Sequence, residues 1–234
     1  MASYKLFIAL GLLLLPLHCD SAQAAPSDKP LTTNYNSLSR RQSTAMADVS
    51  SLNMQAQQLS ARGQFAEAER IFLQAIARMD ASKETAYDLR ARVLNNLGLL
   101  YMNRGMFDRA EQLYAAALDV AEKHLGGKDS ILGIILDNTG QCYRLQKRYK
   151  EAEPFYKRAL VAEEKTVGAD SIDYAITLTN LALLHINNHQ YDEAEPNLDR
   201  ALNIIEKKAG KDNNIYREVA NYKEVLKNLK SKGQ

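Results

Sequence analysis

The chain has 234 residues with 30 Lys and Arg against 28 Asp and Glu, a formal net charge of +2. That balance gives no electrostatic case for nucleic acid, whose binding is dominated by phosphate neutralisation. Two cysteines, Cys19 and Cys142, and no glycine-rich phosphate loop or nucleophile elbow argue against a disulfide scaffold and a nucleotide or hydrolase site.

The N-terminus carries Lys5, an apolar run from Leu6 to Leu15 broken at Pro16, and then Ala22-Gln23-Ala24. The run is too short to span a bilayer. Its three regions predict a signal peptide over residues 1–24, cut after Ala24, and hence a secreted or periplasmic protein. A retained signal, or lipidation at Cys19, would instead tether the chain to a membrane, although Leu17 and His18 are poor neighbours for a lipidated cysteine. After cleavage only Cys142 remains, so stability must come from packing. Residues 25–43 are rich in Ser, Asn, Thr and Pro without apolar periodicity, which predicts a disordered leader.

From there a signature recurs: Phe65-Ala66-Glu67-Ala68-Glu69, Phe107-Asp108-Arg109-Ala110-Glu111, Tyr149-Lys150-Glu151-Ala152-Glu153 and Tyr191-Asp192-Glu193-Ala194-Glu195. Each step is 42 residues. A fixed period of this length predicts an all-α solenoid of stacked helix pairs, in units of about 44–85, 86–127, 128–169 and 170–211. In the second unit Leu94, Leu97, Gly98 and Tyr101 form one helical stripe, and Gly105 stops the helix. The partner helix begins near Phe107 with Asp108 and Glu111 at its start and carries Ala110, Tyr114, Ala117 and Leu118 as its apolar stripe. Small Ala110 and Ala117 allow the two backbones to approach closely. Leu136, Gly140, Tyr143, Ala152, Tyr156, Ala159 and Leu160 repeat this wiring in the third unit. Leu178, Leu181, Ala182, His185, Ala194, Leu198, Ala201 and Leu202 repeat it in the fourth. A helix over about 214–231, with Tyr222, Val225, Leu226 and Leu229, is expected to cap the last open face, with Lys223, Lys227, Lys230 and Lys232 as its solvated side and tail.

This wiring resembles a tetratricopeptide repeat, and the 42-residue length resembles the repeats of kinesin light chains. The similar stretches include Leu94-Asn95-Asn96-Leu97-Gly98, Tyr149 to Leu160 and Glu164-Lys165-Thr166-Val167-Gly168. The resemblance implies a right-handed superhelix whose first helices line a concave groove for a peptide. A secretory signal departs from the cytosolic setting of kinesin light chains, so motor attachment is not carried over.

On the groove side the repeat phase aligns Asn96, Asn138 and Asn180, spaced by 42. Asparagine is a poor residue for a helix interior, so its recurrence needs a local reason. Two readings stand: a ladder of amides on a hydrated groove face that pairs with a bound peptide backbone, or amides that each bond a neighbouring helix. Around the ladder fall Arg92, Asn95, Met102 and Asn103, then Asp137, Gln141 and Arg144, then Thr179, Leu183 and Asn187. Only Arg92 and Arg144 could clamp a carboxylate there. His185 and His189 have a spacing zinc can use, but His185 occupies the packing slot of Tyr101 and Tyr143 and no acidic third ligand is in phase. Cys142 aligns with Leu100 and Leu184, which predicts a small buried hydrophobe without an activating base. The expected protein is therefore a non-enzymatic interaction module for a peptide or protein partner, with no metal, cofactor or nucleic acid; its alternative is a membrane-tethered assembly platform.

Overall fold

A computed structural model describes residues 35–82, 85–127 and 129–232. The predicted signal peptide, Cys19 and residues 25–34 of the predicted leader lie outside the described residues. The chain divides into two compact units, residues 1–45 and 46–234. In the first, the described residues, 35–45, are all helical.

The described residues form helices and no strand. They are α1 (Tyr35–Ala61), α2 (Phe65–Ser82), α3 (Tyr87–Asn103), α4 (Phe107–His124), α5 (Ile131–Leu145), α6 (Tyr149–Thr166), α7 (Ile172–Asn187), α8 (Tyr191–Ala209) and α9 (Asn214–Lys232). Every second helix of a pair begins at the aromatic of the signature: Phe65, Phe107, Tyr149 or Tyr191. Helix α1 starts at Tyr35, inside the segment expected to be a disordered leader. The sequence from Tyr35 to Ala61 contains neither proline nor glycine. A helix nucleated by the packed second half of α1 can thus extend backwards at little cost per residue.

The turns between paired helices share one geometry. The second residue after the first helix adopts a left-handed backbone: Gly63 at φ 76°, Gly105 at 72°, Lys147 at 63° and His189 at 60°. Around it the chain doubles back through paired bonds, such as Gly105 N to Met102 O and Met106 N to Tyr101 O, both 2.9 Å. The same pair recurs as Lys147 N to Arg144 O and Arg148 N to Tyr143 O, which is the Schellman arrangement that satisfies helix-end carbonyls.

Within each pair, Ala68, Ala110, Ala152 and Ala194 are wholly buried where the two helices meet. The close approach has a second device. A Cβ added at Gly98 would lie 2.8 Å from the Tyr114 ring, and one at Gly140 3.0 Å from the Tyr156 ring. Glycine is required in these two helices because a whole phenol packs on the backbone there. Where the first helix carries alanine, at Ala56 and Ala182, the facing residue is Phe72 or Leu198.

From α2 onward, helices in sequence pack on one another, and α3, α5, α7 and α9 also touch in succession. The first helices thus make one continuous row, the inner wall of a right-handed solenoid, with the second helices outside. Helix α9 begins 42 residues after α7 and is in phase with it. It occupies the place of the first helix of a fifth unit, burying Val219, Tyr222 and Leu226 against the fourth.

Candidate peptide-binding groove

The asparagines predicted to line the groove are hydrogen-bonded between units. Asn96 Nδ2 donates to Asn53 Oδ1 at 3.0 Å, and Asn138 Nδ2 to Asn95 Oδ1 at 2.9 Å. Asn180 Nδ2 lies 3.0 and 2.9 Å from the two carboxylate oxygens of Asp137. Donors and acceptors are two series with the same 42-residue period, offset by one residue. Asn95 Nδ2 also reaches Asn96 Oδ1 at 3.3 Å, which links Asn138, Asn95, Asn96 and Asn53 into one relay across three units.

Of the two readings of the ladder, the bonding of a neighbouring helix is the one this geometry satisfies. Nor is the face freely hydrated: Asn138 is 4% exposed and Asn180 2%. The amides hold the register of successive first helices, at a position where a helix interior would otherwise disfavour them. The series ends at the cap. The next donor slot holds Tyr222, whose hydroxyl donates to Glu218 at 2.7 Å, and the next acceptor slot holds Thr179, whose hydroxyl donates to the Ala175 carbonyl at 2.8 Å.

The other predicted groove residues divide. Arg92, Asn103 and Asn187 are half-buried on the row of first helices, and Arg92 Nη2 is 3.3 Å from Asp129. Gln141 and Arg144 are buried, as are Met102, Thr179 and Leu183. Arg144 occupies the slot of Met102 and Ile186. Met102 Sδ accepts from Tyr114 Oη at 3.8 Å, and in the corresponding place Arg144 neighbours the Tyr156 hydroxyl. Burial pushes the Tyr156 hydroxyl well above the ordinary phenol range, and the positive charge of Arg144 opposes that rise. Arg144 Nε and Nη2 are buried without a hydrogen-bond partner. A carboxylate clamp joining Arg92 and Arg144 does not form, because one guanidinium is engaged at Asp129 and the other is sealed beneath the surface.

A second set of links runs from three of the four signature glutamates to the end of the following first helix or the turn after it. Glu69 accepts from Tyr101 Oη at 2.7 Å and Arg104 Nη1 at 2.8 Å. Glu111 accepts from Gln146 Nε2 and Arg148 Nη1, both at 2.7 Å, and Glu195 from Lys230 Nζ at 2.8 Å. Burial first, then the neighbouring carboxylate, raises the pKa of the Tyr101 and Tyr143 hydroxyls. These glutamates are visible in the sequence as the fifth residue of the signature, but only the fold shows that they tie unit to unit.

Cys142 is wholly buried, and burial followed by the charge of Glu111 pushes its thiol up to about 12. A thiol held protonated to that degree is no nucleophile. His185 packs in the slot of the tyrosines with Nδ1 3.4 Å from Gln190 Oε1, while His189 Nδ1 faces Tyr191 Oη at 3.0 Å. The two imidazoles therefore serve different partners. Among the described residues no group of three His, Cys, Asp or Glu side chains could hold a metal ion, and no helix is long and apolar enough to cross a membrane.

The chain belongs to the tetratricopeptide repeat family, which matches residues 44–122 and 89–162 by one description and 175–215 by another. Repeats of this class generally mediate protein–protein interaction and typically act as non-enzymatic scaffolds. Among solved structures, the chain is similar to BtubC (BKLC) of P. vanneervenii, with 20% identity, a TM-score of 0.64, and coverage of 84% of this chain and 88% of that one. It is also similar to a Podosopora anserina protein described as a kinesin light chain with nearly identical TPR-like repeats. A substituted form of that protein gives 17% identity, a TM-score of 0.62 and coverage of 79% of this chain and 92% of that one. A second structure of it gives 19%, 0.55, 69% and 76%. No curated protein sequence matches the chain significantly. The likeness to kinesin light chains extends to the fold.

Proposed function

We propose that this protein is a non-enzymatic interaction module of a secreted or periplasmic compartment that receives a peptide or protein partner along its row of first helices. The observation that carries the reading is the continuity of that row, from α3 to α9, in a chain whose repeats fill nearly all the described residues. With the ladder amides engaged between units, the partner would meet the half-buried side chains that remain: Arg92, Asn103, Asn187 and the open edge of Asn96. Backbone-directed and mixed polar recognition suits such a surface better than charge pairing.

Site-specific photo-crosslinking in the producing cell tests this. A crosslinking residue at position 103 or 187 should capture a protein partner. The same residue at Leu73 or Val161, exposed on second helices, should not. Equal capture from both sets, or none from the first, would overturn the groove as the docking face. Fractionation of wild type and Cys19→Ala tests the compartment. A soluble, N-terminally shortened chain in both supports export, whereas a membrane-bound wild type released by the substitution supports the tethered alternative.

A further inference from the structure

Glu163 is on α6 and only 3% exposed. The residues at the same phase in the other units are Met79, Ala121 and Ile205, all buried and apolar, so a carboxyl stands in a slot that the other units fill with apolar side chains. Two further departures surround it. Gly133 of α5 stands where α3 and α7 carry Ala91 and Ala175, and a Cβ at Gly133 would lie 2.6 Å from Glu163 Cγ. Thr177 of α7 replaces the Val93, Ile135 and Val219 of other units, and its hydroxyl donates to Glu163 Oε1 at 2.9 Å. Glu163 Oε2 is buried without a partner. Two neighbouring helices thus each depart from the repeat at the residue that meets this side chain, Gly133 giving it room and Thr177 a hydrogen bond, and with α6 they form the joint between the third and fourth units.

An ionised carboxylate in this place would have one hydrogen bond and no counter-charge. The charged groups that bear on it are Asp137 of α5 and Asp173 of α7, both acidic. Burial of an unpaired charge is costly, and a carboxyl so placed retains its proton instead. We propose that Glu163 is a proton-operated joint: its neutral acid packs α6 against α7, and loss of the proton puts a bare charge into the seam and loosens the fourth unit from the third. The same seam carries the Asn180 to Asp137 bonds, so the loosening acts directly on the row of first helices.

Burial, then Asp137, pushes the Glu163 carboxyl up to about 8, with the Thr177 bond pulling back and Asp173 adding to the rise. A carboxyl whose folded value lies above its unfolded value of about 4.3 binds its proton more tightly in the folded state. Its destabilising effect is therefore absent at acid pH, grows as pH climbs from the unfolded towards the folded value, and levels off beyond about 8. Ordinary carboxylates with lowered values do the opposite, which makes the sign diagnostic.

The test uses the full chain as it is produced by its host. Carbon-13 NMR of glutamate-labelled protein should show one carboxyl titrating far above the others, absent from Glu163→Gln. Between about pH 6 and about pH 9, spanning that titration, wild type should lose several degrees of Tm relative to Glu163→Gln. Proteolysis at the 167–171 turn should quicken in wild type alone. If Glu163→Gln does not fold, Glu163→Met, which restores the residue type found at Met79, takes its place. A Glu163 carboxyl that titrates in the ordinary range overturns the proposal. So does one that titrates high while wild type and variant lose Tm and gain proteolysis in parallel.

Discussion

Asn138 shows how a single polar side chain is used in this molecule. Its amide donates to Asn95 Oδ1 in a site almost closed to water. Asn138→Ala removes that bond and leaves a buried acceptor without its partner, which costs about 1–3 kcal/mol. Urea denaturation should show a lowered midpoint with an unchanged slope, and an unshifted midpoint would return the ladder to the groove surface. The glycine and tyrosine pairs make a second case. Gly98→Ala should cost about 1–3 kcal/mol by forcing a methyl into the Tyr114 ring. Adding Tyr114→Leu recreates the Ala182 and Leu198 pair of the fourth unit, so the double variant should be less destabilised than the two single losses summed. Strict additivity in thermal unfolding would show that the ring and the missing Cβ are not in fact matched.

At the level of the helix, the turns set a further expectation. Gly63 and Gly105 adopt their left-handed conformation freely, but Lys147 and His189 hold the same backbone with a Cβ in place, which costs an L-residue about 1–2 kcal/mol. Glycine gives back about 0.5–1 kcal/mol through the entropy of the unfolded chain. His189→Gly, which gives up only exposed contacts with Tyr191, the ring edge and the 3.0 Å Nδ1 to Oη bond, should thus raise stability by roughly 0.5–1 kcal/mol, net of the two backbone effects. A lowered Tm would show that the ring contact outweighs the backbone. These turns and the helices they join were legible in the sequence, because an aromatic signature, a glycine slot and a 3.6-residue apolar stripe are local features. The ladder was legible only by half. The donors Asn96, Asn138 and Asn180 stand out by period, but their acceptors Asn53, Asn95 and Asp137 belong to the preceding unit. Their pairing depends on how far one unit is translated along the next, which no local pattern encodes. The burial of Gln141 and Arg144, by contrast, was open to the same period, since Leu99 and Leu183 share the slot of Gln141 and Met102 and Ile186 that of Arg144, which marks both as inward positions.

The molecule as a whole is a stack in which each unit is stabilised by its neighbours, so its open end carries a particular load. Helix α9 covers that end with Val219, Tyr222 and Leu226, and Lys230 ties it to Asp192 and Glu195 at 2.8 Å each. Full burial of such side chains is worth about 1.5–3 kcal/mol apiece, so their combined contribution rivals the roughly 5–15 kcal/mol of a whole domain. A chain ending at Gly210 would lose this and expose the apolar faces of α7 and α8, Ile205 among them. It should melt far lower than the full chain and associate through the uncovered face. Because truncation is a drastic change, Leu226→Ala provides the graded version, with an expected cost of about 2–5 kcal/mol. Nearest-neighbour coupling also fixes where the loss should appear. Hydrogen exchange in Leu226→Ala should quicken in α7, α8 and α9 while α3 and α4, two units away, keep their protection. Uniform quickening along the chain would mean that the solenoid opens as one cooperative block, and unchanged exchange in α7 and α8 would mean that α9 is not a cap.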